Sequence, residues 1–178
     1  PALGLSLFAA AAQAQMMNVV APDAGGRPFP PVASAWPVTA NVALASQYVS
    51  RGFQQSWGKP ALQGGFDYAH PSGFYAGTWI SSVSSRFIEN ATLEWDVYGG
   101  YSGTAGDIGY SGTVYYYIYP GAKFSATNVK YDYGELALGA TYKMLYAKYN
   151  HTFTKDFFGF TDARGTGYLD MGANVDLG

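Results

Sequence analysis

From residue 41 onward, apolar and polar positions alternate with a period of two, which predicts strands with one greasy and one polar face. In the first such segment Val42, Leu44 and Tyr48 share one face, while Asn41, Gln47 and Arg51 share the other. In residues 61–70, Leu62, Phe66 and Tyr68 oppose Gln63, Gly65 and Asp67. Residues 74–83 leave two sets, Phe74, Ala76 and Ile80 or Tyr75, Trp79 and Val83, competing for the greasy side. The next segment alternates cleanly, with Leu93, Trp95, Val97 and Tyr101 against Thr92, Glu94, Asp96 and Tyr98. Four further segments repeat the scheme. Val114, Tyr116 and Ile118 oppose Thr113, Tyr115 and Tyr117; Leu136, Leu138 and Tyr142 oppose Tyr133, Glu135 and Thr141. Leu145, Tyr149 and Phe153 then oppose Tyr146, Lys148 and Asn150, and Leu169, Met171 and Val175 oppose Tyr168, Asp170 and Asp176.

The expected fold is therefore all-β, with about eight strands. Most are long enough for the roughly 9–11 residues that a tilted membrane strand needs, against about five or six in soluble proteins. The connections alternate in length. Short turns at 71–73, at 104–107 and around Lys143 are interleaved with longer segments at 52–59, 84–90, 121–130 and 156–165. Short and long connections at opposite ends are the rhythm of a transmembrane antiparallel up-and-down β-barrel with tight periplasmic turns and longer external loops.

Composition agrees. Charged residues are only 12%, against roughly 25% in an average soluble domain, while aromatics reach 17%, with 16 tyrosines and 23 glycines. No apolar run outside the N-terminus is long enough for a spanning helix. A net charge of −2 without basic clusters argues against nucleic acid as a partner. With no cysteine there is no disulfide framework or thiol nucleophile. Residues 1–14, PALGLSLFAAAAQA, read as a signal-peptide remnant ending in a small-residue cleavage site, and residues 15–39, rich in proline, as an extended periplasmic leader. The barrel domain then occupies residues 40–178. Export by a cleaved signal peptide places it in a Gram-negative outer membrane, with membrane lipid and the barrel-assembly machinery as its expected partners.

The stretch NVALASQYVSRGFQQSWGKPALQGGFDYAHPSGFYAGTW, residues 41–79, resembles the opening of the TorF-type porin family of proteobacterial outer-membrane proteins, of the Gcw_chp type. Arg51-Gly52, Gln55-Ser56, Pro60 and the run from Gln63 to Tyr68 carry the resemblance, which extends over about residues 40–178. Gln54 stands where a small hydroxyl residue is common, and Ser82 where Asn is common. The resemblance implies passive transport without an established substrate. It also implies a longer chain of roughly twelve strands, of which this sequence supplies about eight and lacks the C-terminal ones.

The alternation assigns candidate faces. Arg51, Asp67, Glu94, Asp96, Glu135, Lys148, Asp170, Asp176, Tyr115 and Tyr117 are expected to line the lumen, and Leu44, Phe66, Trp95, Val97, Leu136, Leu138, Phe153 and Leu169 to face lipid. Acids outnumber bases on the inner face, so a lumen with ionised carboxylates favours cations. Glu94 and Asp96, about 7 Å apart on one strand face, have a separation that an inverting glycosidase could use. They are also what any polar strand face produces, and no nucleophile, metal or phosphate-binding motif accompanies them. The expected function is passive diffusion of small polar, cation-biased solutes, without enzymatic activity, metal or cofactor. The alternative is a structural or surface-interaction barrel with no open pore.

Overall fold

The computed structural model describes residues 37–175. The expected signal-peptide remnant, nearly all of the leader and Asp176 lie outside them. Twelve strands occur in the order β1 (Val38–Ala45), β2 (Val49–Ser50), β3 (Phe53–Gln54), β4 (Ala61–Ala69), β5 (Phe74–Ser82), β6 (Leu93–Ala105), β7 (Ile108–Ile118), β8 (Lys123–Phe124), β9 (Val129–Lys130), β10 (Tyr133–Tyr142), β11 (Leu145–Thr152) and β12 (Gly167–Ala173). Eight form one antiparallel meander, β1-β4-β5-β6-β7-β10-β11-β12, while β2-β3 and β8-β9 are two-residue hairpins within the connections. Among the described residues there is no helix. The sheet is open there: β1 pairs only with β4, and β12 only with β11.

The period of two has a direct structural consequence, because each antiparallel register puts matching faces together. Tyr98 sits opposite Tyr115, Asp96 opposite Tyr117 and Glu135 opposite Tyr115, all on one side. That side is buried along β5, β6, β7 and β10. The other presents Leu44 at 71% exposure, Phe66 at 62%, and Val114, Leu138 and Leu169 at half or more. The ambiguity of β5 resolves in favour of Phe74, Ala76 and Ile80 outside, with Trp79 and Ser81 buried inside. Outside, the Trp95 indole N–H is satisfied within the sheet, donating to Thr78 Oγ1 at 2.6 Å.

Hydrogen bonds that skip a strand show that the buried face is concave. Tyr98 on β6 reaches over β5 to Asp67 on β4, at 2.5 Å, and Tyr75 on β5 reaches over β6 to Thr113 on β7. The curl is tight enough to need glycine beneath the rings. A Cβ on Gly77 would lie 2.5 Å from the Tyr98 hydroxyl and 2.6 Å from its ring, and one on Gly100 would lie 2.7 Å from the Tyr75 hydroxyl. Each glycine is thus a recess for an aromatic side chain on an adjacent strand.

The first strand departs from expectation. β1 begins at Val38 and ends at Ala45, so Gln47, Tyr48 and Arg51 belong to the following connection. Tyr48, expected on the greasy face, is buried inside, because beyond the strand the chain no longer alternates and turns over the concavity.

The close fit of Gly77 under Tyr98 predicts that Gly77→Ala lowers stability by about 1–3 kcal/mol, measured as a shift in the urea midpoint. Gly77→Ala should cost less in a Tyr98→Leu background, where the recess is vacated, than in the unaltered chain.

Candidate functional site

The concave face and the connections that fold over one end of it form the candidate site. All four longer connections, residues 46–60, 83–92, 119–132 and 153–166, leave from that end, and the three short turns lie at the other. Of the expected inner-face residues, Asp67, Glu94, Asp96, Tyr115, Tyr117, Glu135 and Lys148 are buried on the concave side, and Asp170 is half-buried there. Leu44, Phe66, Trp95, Val97, Leu136, Leu138, Phe153 and Leu169 all lie on the opposite face.

Arg51 reaches this face from above rather than from a strand wall. Ser50-Arg51-Gly52-Phe53 closes the β2-β3 hairpin, and the two central residues have φ of 51° and 84°. Positive φ at both central positions is what a type I′ hairpin turn requires, a conformation that glycine tolerates and arginine does not favour. The side chain accounts for the exception. Its guanidinium makes a two-pronged bond to Glu135 on β10, Nη1 to Oε1 at 2.8 Å and Nη2 to Oε2 at 2.5 Å, and Glu135 is 1% exposed. Cζ also lies 4.8 Å from the Tyr168 ring centroid on β12 and 6.0 Å from that of Phe157. One residue therefore ties the first connection to β10, β12 and the last connection.

Tyrosines hold two of the other carboxylates. The Tyr48 hydroxyl donates to Glu94 Oε1 at 3.1 Å, as Tyr98 does to Asp67. Burial, reinforced by Glu94 and Asp96, holds the Tyr48 phenol well above the ordinary tyrosine range, so it stays a donor. Several buried polar atoms have no protein partner among the described residues: Gln55 Oε1, Glu94 Oε2, Asp96 Oδ1, Trp79 Nε1, Tyr117 Oη and Asn150 Oδ1. Four of these six belong to β5, β6 and β7, where Asp96 faces Trp79 on one side and Tyr117 on the other.

An aromatic cap lies above. Tyr119 and Tyr131 each meet Phe158 edge-on, at 5.5 and 5.0 Å, and Tyr133 packs on Tyr117 and on Phe157, at 4.4 Å each. No strand periodicity marks Tyr131, Phe157 or Phe158, so alternation alone could not have placed them here. Beside the cap, towards β11 and β12, a cavity of about 250 Å³ opens among Arg51, Tyr133, Glu135, Thr152, Phe157, Thr166 and Tyr168. Glu94 and Asp96 do not line it. No group of three or more metal-ligating side chains occurs among the described residues.

A family model described as a bacterial protein of unknown function (Gcw_chp) matches residues 31–178. No curated protein and no solved structure matches the chain.

Since Glu135 is almost wholly buried, Arg51→Ala leaves a carboxylate without its cation and is expected to cost about 3 kcal/mol. Arg51→Met with Glu135→Gln should cost less than the sum of the two single changes, and a double-mutant cycle of urea unfolding measures the difference.

Proposed function

The chain belongs to the bacterial family Gcw_chp, and for this member we propose a transmembrane β-barrel of the Gram-negative outer membrane through which small polar solutes, cations preferred, diffuse passively. The inversion of the two faces carries this reading. Large apolar side chains stand exposed on the convex side while carboxylates are buried on the concave side. In water that distribution costs free energy twice, in exposed apolar area and in desolvated charge. In a bilayer it is the favourable one, because hydrocarbon covers the outside and the interior holds the polar groups.

Two further features support it. Tyr68, Phe74, Tyr101, Tyr110 and Tyr142 stand outside near the short-turn end, and Phe74, Tyr101 and Tyr110 touch in series at 5.1 and 6.3 Å. Rings in such a row suit the headgroup level, where one edge is apolar and the other wet. The unpartnered polar atoms of β5, β6 and β7 call for water, which a hydrated lumen supplies. Hydrocarbon offers no partner to the backbone of β1 and β12, so in the membrane these edges must be joined. The twelve-stranded ring implied by the TorF-type resemblance joins them through further strands. Export by a cleaved signal peptide and insertion by the barrel-assembly machinery belong to the same proposal.

The aromatic cap favours a second reading, a structural or surface-interaction barrel whose mouth is closed. Current across a planar bilayer separates the two. The transport reading expects step-like conductance from the inserted protein, with a reversal potential in a salt gradient on the cation side. Glu94→Gln with Asp96→Asn should move that potential towards zero. Insertion without current overturns transport in favour of the closed barrel, and release from membranes without detergent overturns the membrane assignment itself.

A further inference from the structure

We propose that the cavity between the β2-β3 hairpin and strands β10 to β12 binds the ring of a neutral saccharide. The choice of ligand follows from what the lining can still offer. Arg51 and Glu135 are the charges at the cavity, and each already satisfies the other through two parallel bonds. The pair is neutral as a whole, so an anion at Arg51's remaining donors meets the Glu135 charge beside it, and a cation at Glu135 meets Arg51. Displacing either partner would in turn give up a buried two-pronged ion pair, so charged ligands are disfavoured.

A neutral ligand avoids that loss and can use what remains. The planar guanidinium keeps N–H donors beyond the two it gives to Glu135, and a carboxylate can accept more than two hydrogen bonds. Thr166 donates to Thr152 at 3.1 Å, and both residues line the same space. Around this polar core stand Phe157, Tyr133 and Tyr168, and the first two are packed against each other at 4.4 Å, which holds their rings in place. Preset aromatic walls with a small number of fixed polar groups suit a ligand that is flat, apolar on its faces and hydroxylated at its rim. A single pyranose ring has that chemistry, and about 250 Å³ is a monosaccharide-sized space rather than one for an oligosaccharide. The cavity lies at the end where the longer connections gather, so binding there does not depend on whether the lumen conducts.

The test is direct binding to the full chain in detergent micelles, by calorimetry and saturation-transfer NMR. The panel is the methyl glycosides of glucose, galactose and mannose, with sorbitol, arginine and glutamate alongside. At least one glycoside should bind saturably with Kd of about 1–10 mM, with transfer strongest at ring C–H protons and sorbitol clearly weaker. Phe157→Ala should weaken binding by about five- to tenfold, while Phe157→Tyr keeps it and Thr166→Val weakens it less than Phe157→Ala does. Absence of saturable glycoside binding to the unaltered chain overturns the proposal, whatever the variants do. Equal binding of sorbitol, or tighter binding of arginine or glutamate, overturns it as well.

Discussion

Carboxylates on the buried face of a sheet whose other face carries Leu, Phe and Trp impose a demand that much of the remaining sequence answers. Each buried carboxylate needs a donor, and lysine or arginine at every such position would crowd the concavity with long, entropically costly side chains. Tyrosine meets the need differently. It fills space with a ring and ends in a neutral donor, as Tyr48 does for Glu94 and Tyr98 for Asp67. This role accounts for part of the tyrosine content, and the tyrosines in turn account for part of the glycine content. A ring lying across a neighbouring strand leaves no room for a Cβ beneath it, as at Gly77 and Gly100. Composition and curvature are thus two consequences of one electrostatic requirement.

The same requirement explains the Arg51 hairpin. Glu135 is almost wholly buried beside the cavity, and its donor comes from the first connection instead of from a facing strand. To deliver it, an arginine must occupy a turn position that disfavours side chains, with φ of 51°. A left-handed residue of this kind costs of order 1 kcal/mol, less than an unpaired buried carboxylate does. Strain at the tip and burial at the base are therefore linked, and Gly52 next to Arg51 completes a turn that few other pairs could make. Tyr168 and Phe157 then flank the guanidinium, so β12 and the last connection are positioned by the same group.

The alternation of β6, β7, β10 and β11 was legible in the sequence residue by residue, because strands with one buried face must place Glu94 and Asp96, or Lys148 and Asn150, two apart. The order of short and long connections was legible too. β5 was ambiguous because both of its faces carry large apolar residues. Only neighbours of known register, Asp96 opposite Trp79 and Trp95 opposite Ile80, resolve it. Tyr48 was misplaced because periodicity holds only while a strand lasts, and β1 ends at Ala45. Phe157, Phe158 and Tyr131 belong to connections whose shape depends on contacts with other connections, and no local pattern encodes those. The family match covers most of the chain but carries no functional description, so it adds kinship and leaves chemistry to the residues.

Burial is uneven around the curl, and this bears on where a solute could pass. Strands β5 to β7 and β10 have inner faces packed with Trp79, Tyr98, Tyr115, Tyr117 and Tyr133, and the cap lies above them. β1 is exposed on both faces at Asn41, Val42, Ala43 and Leu44, and β12 has only half-buried inner residues, Tyr168 and Asp170. In the transport reading, the packed side acts as a rigid wall and the route runs along β11, β12 and β1. On that side lie Lys148 opposite Asp170 in register, and the Arg51 to Glu135 pair at the mouth. A solute moving there would meet paired rather than solitary charges, with the acidic β6 residues behind them as a longer-range field. Cation preference would then come from net charge across the wall, while contact chemistry at the mouth stays neutral, which reconciles an acidic interior with a saccharide-sized cavity at its entrance.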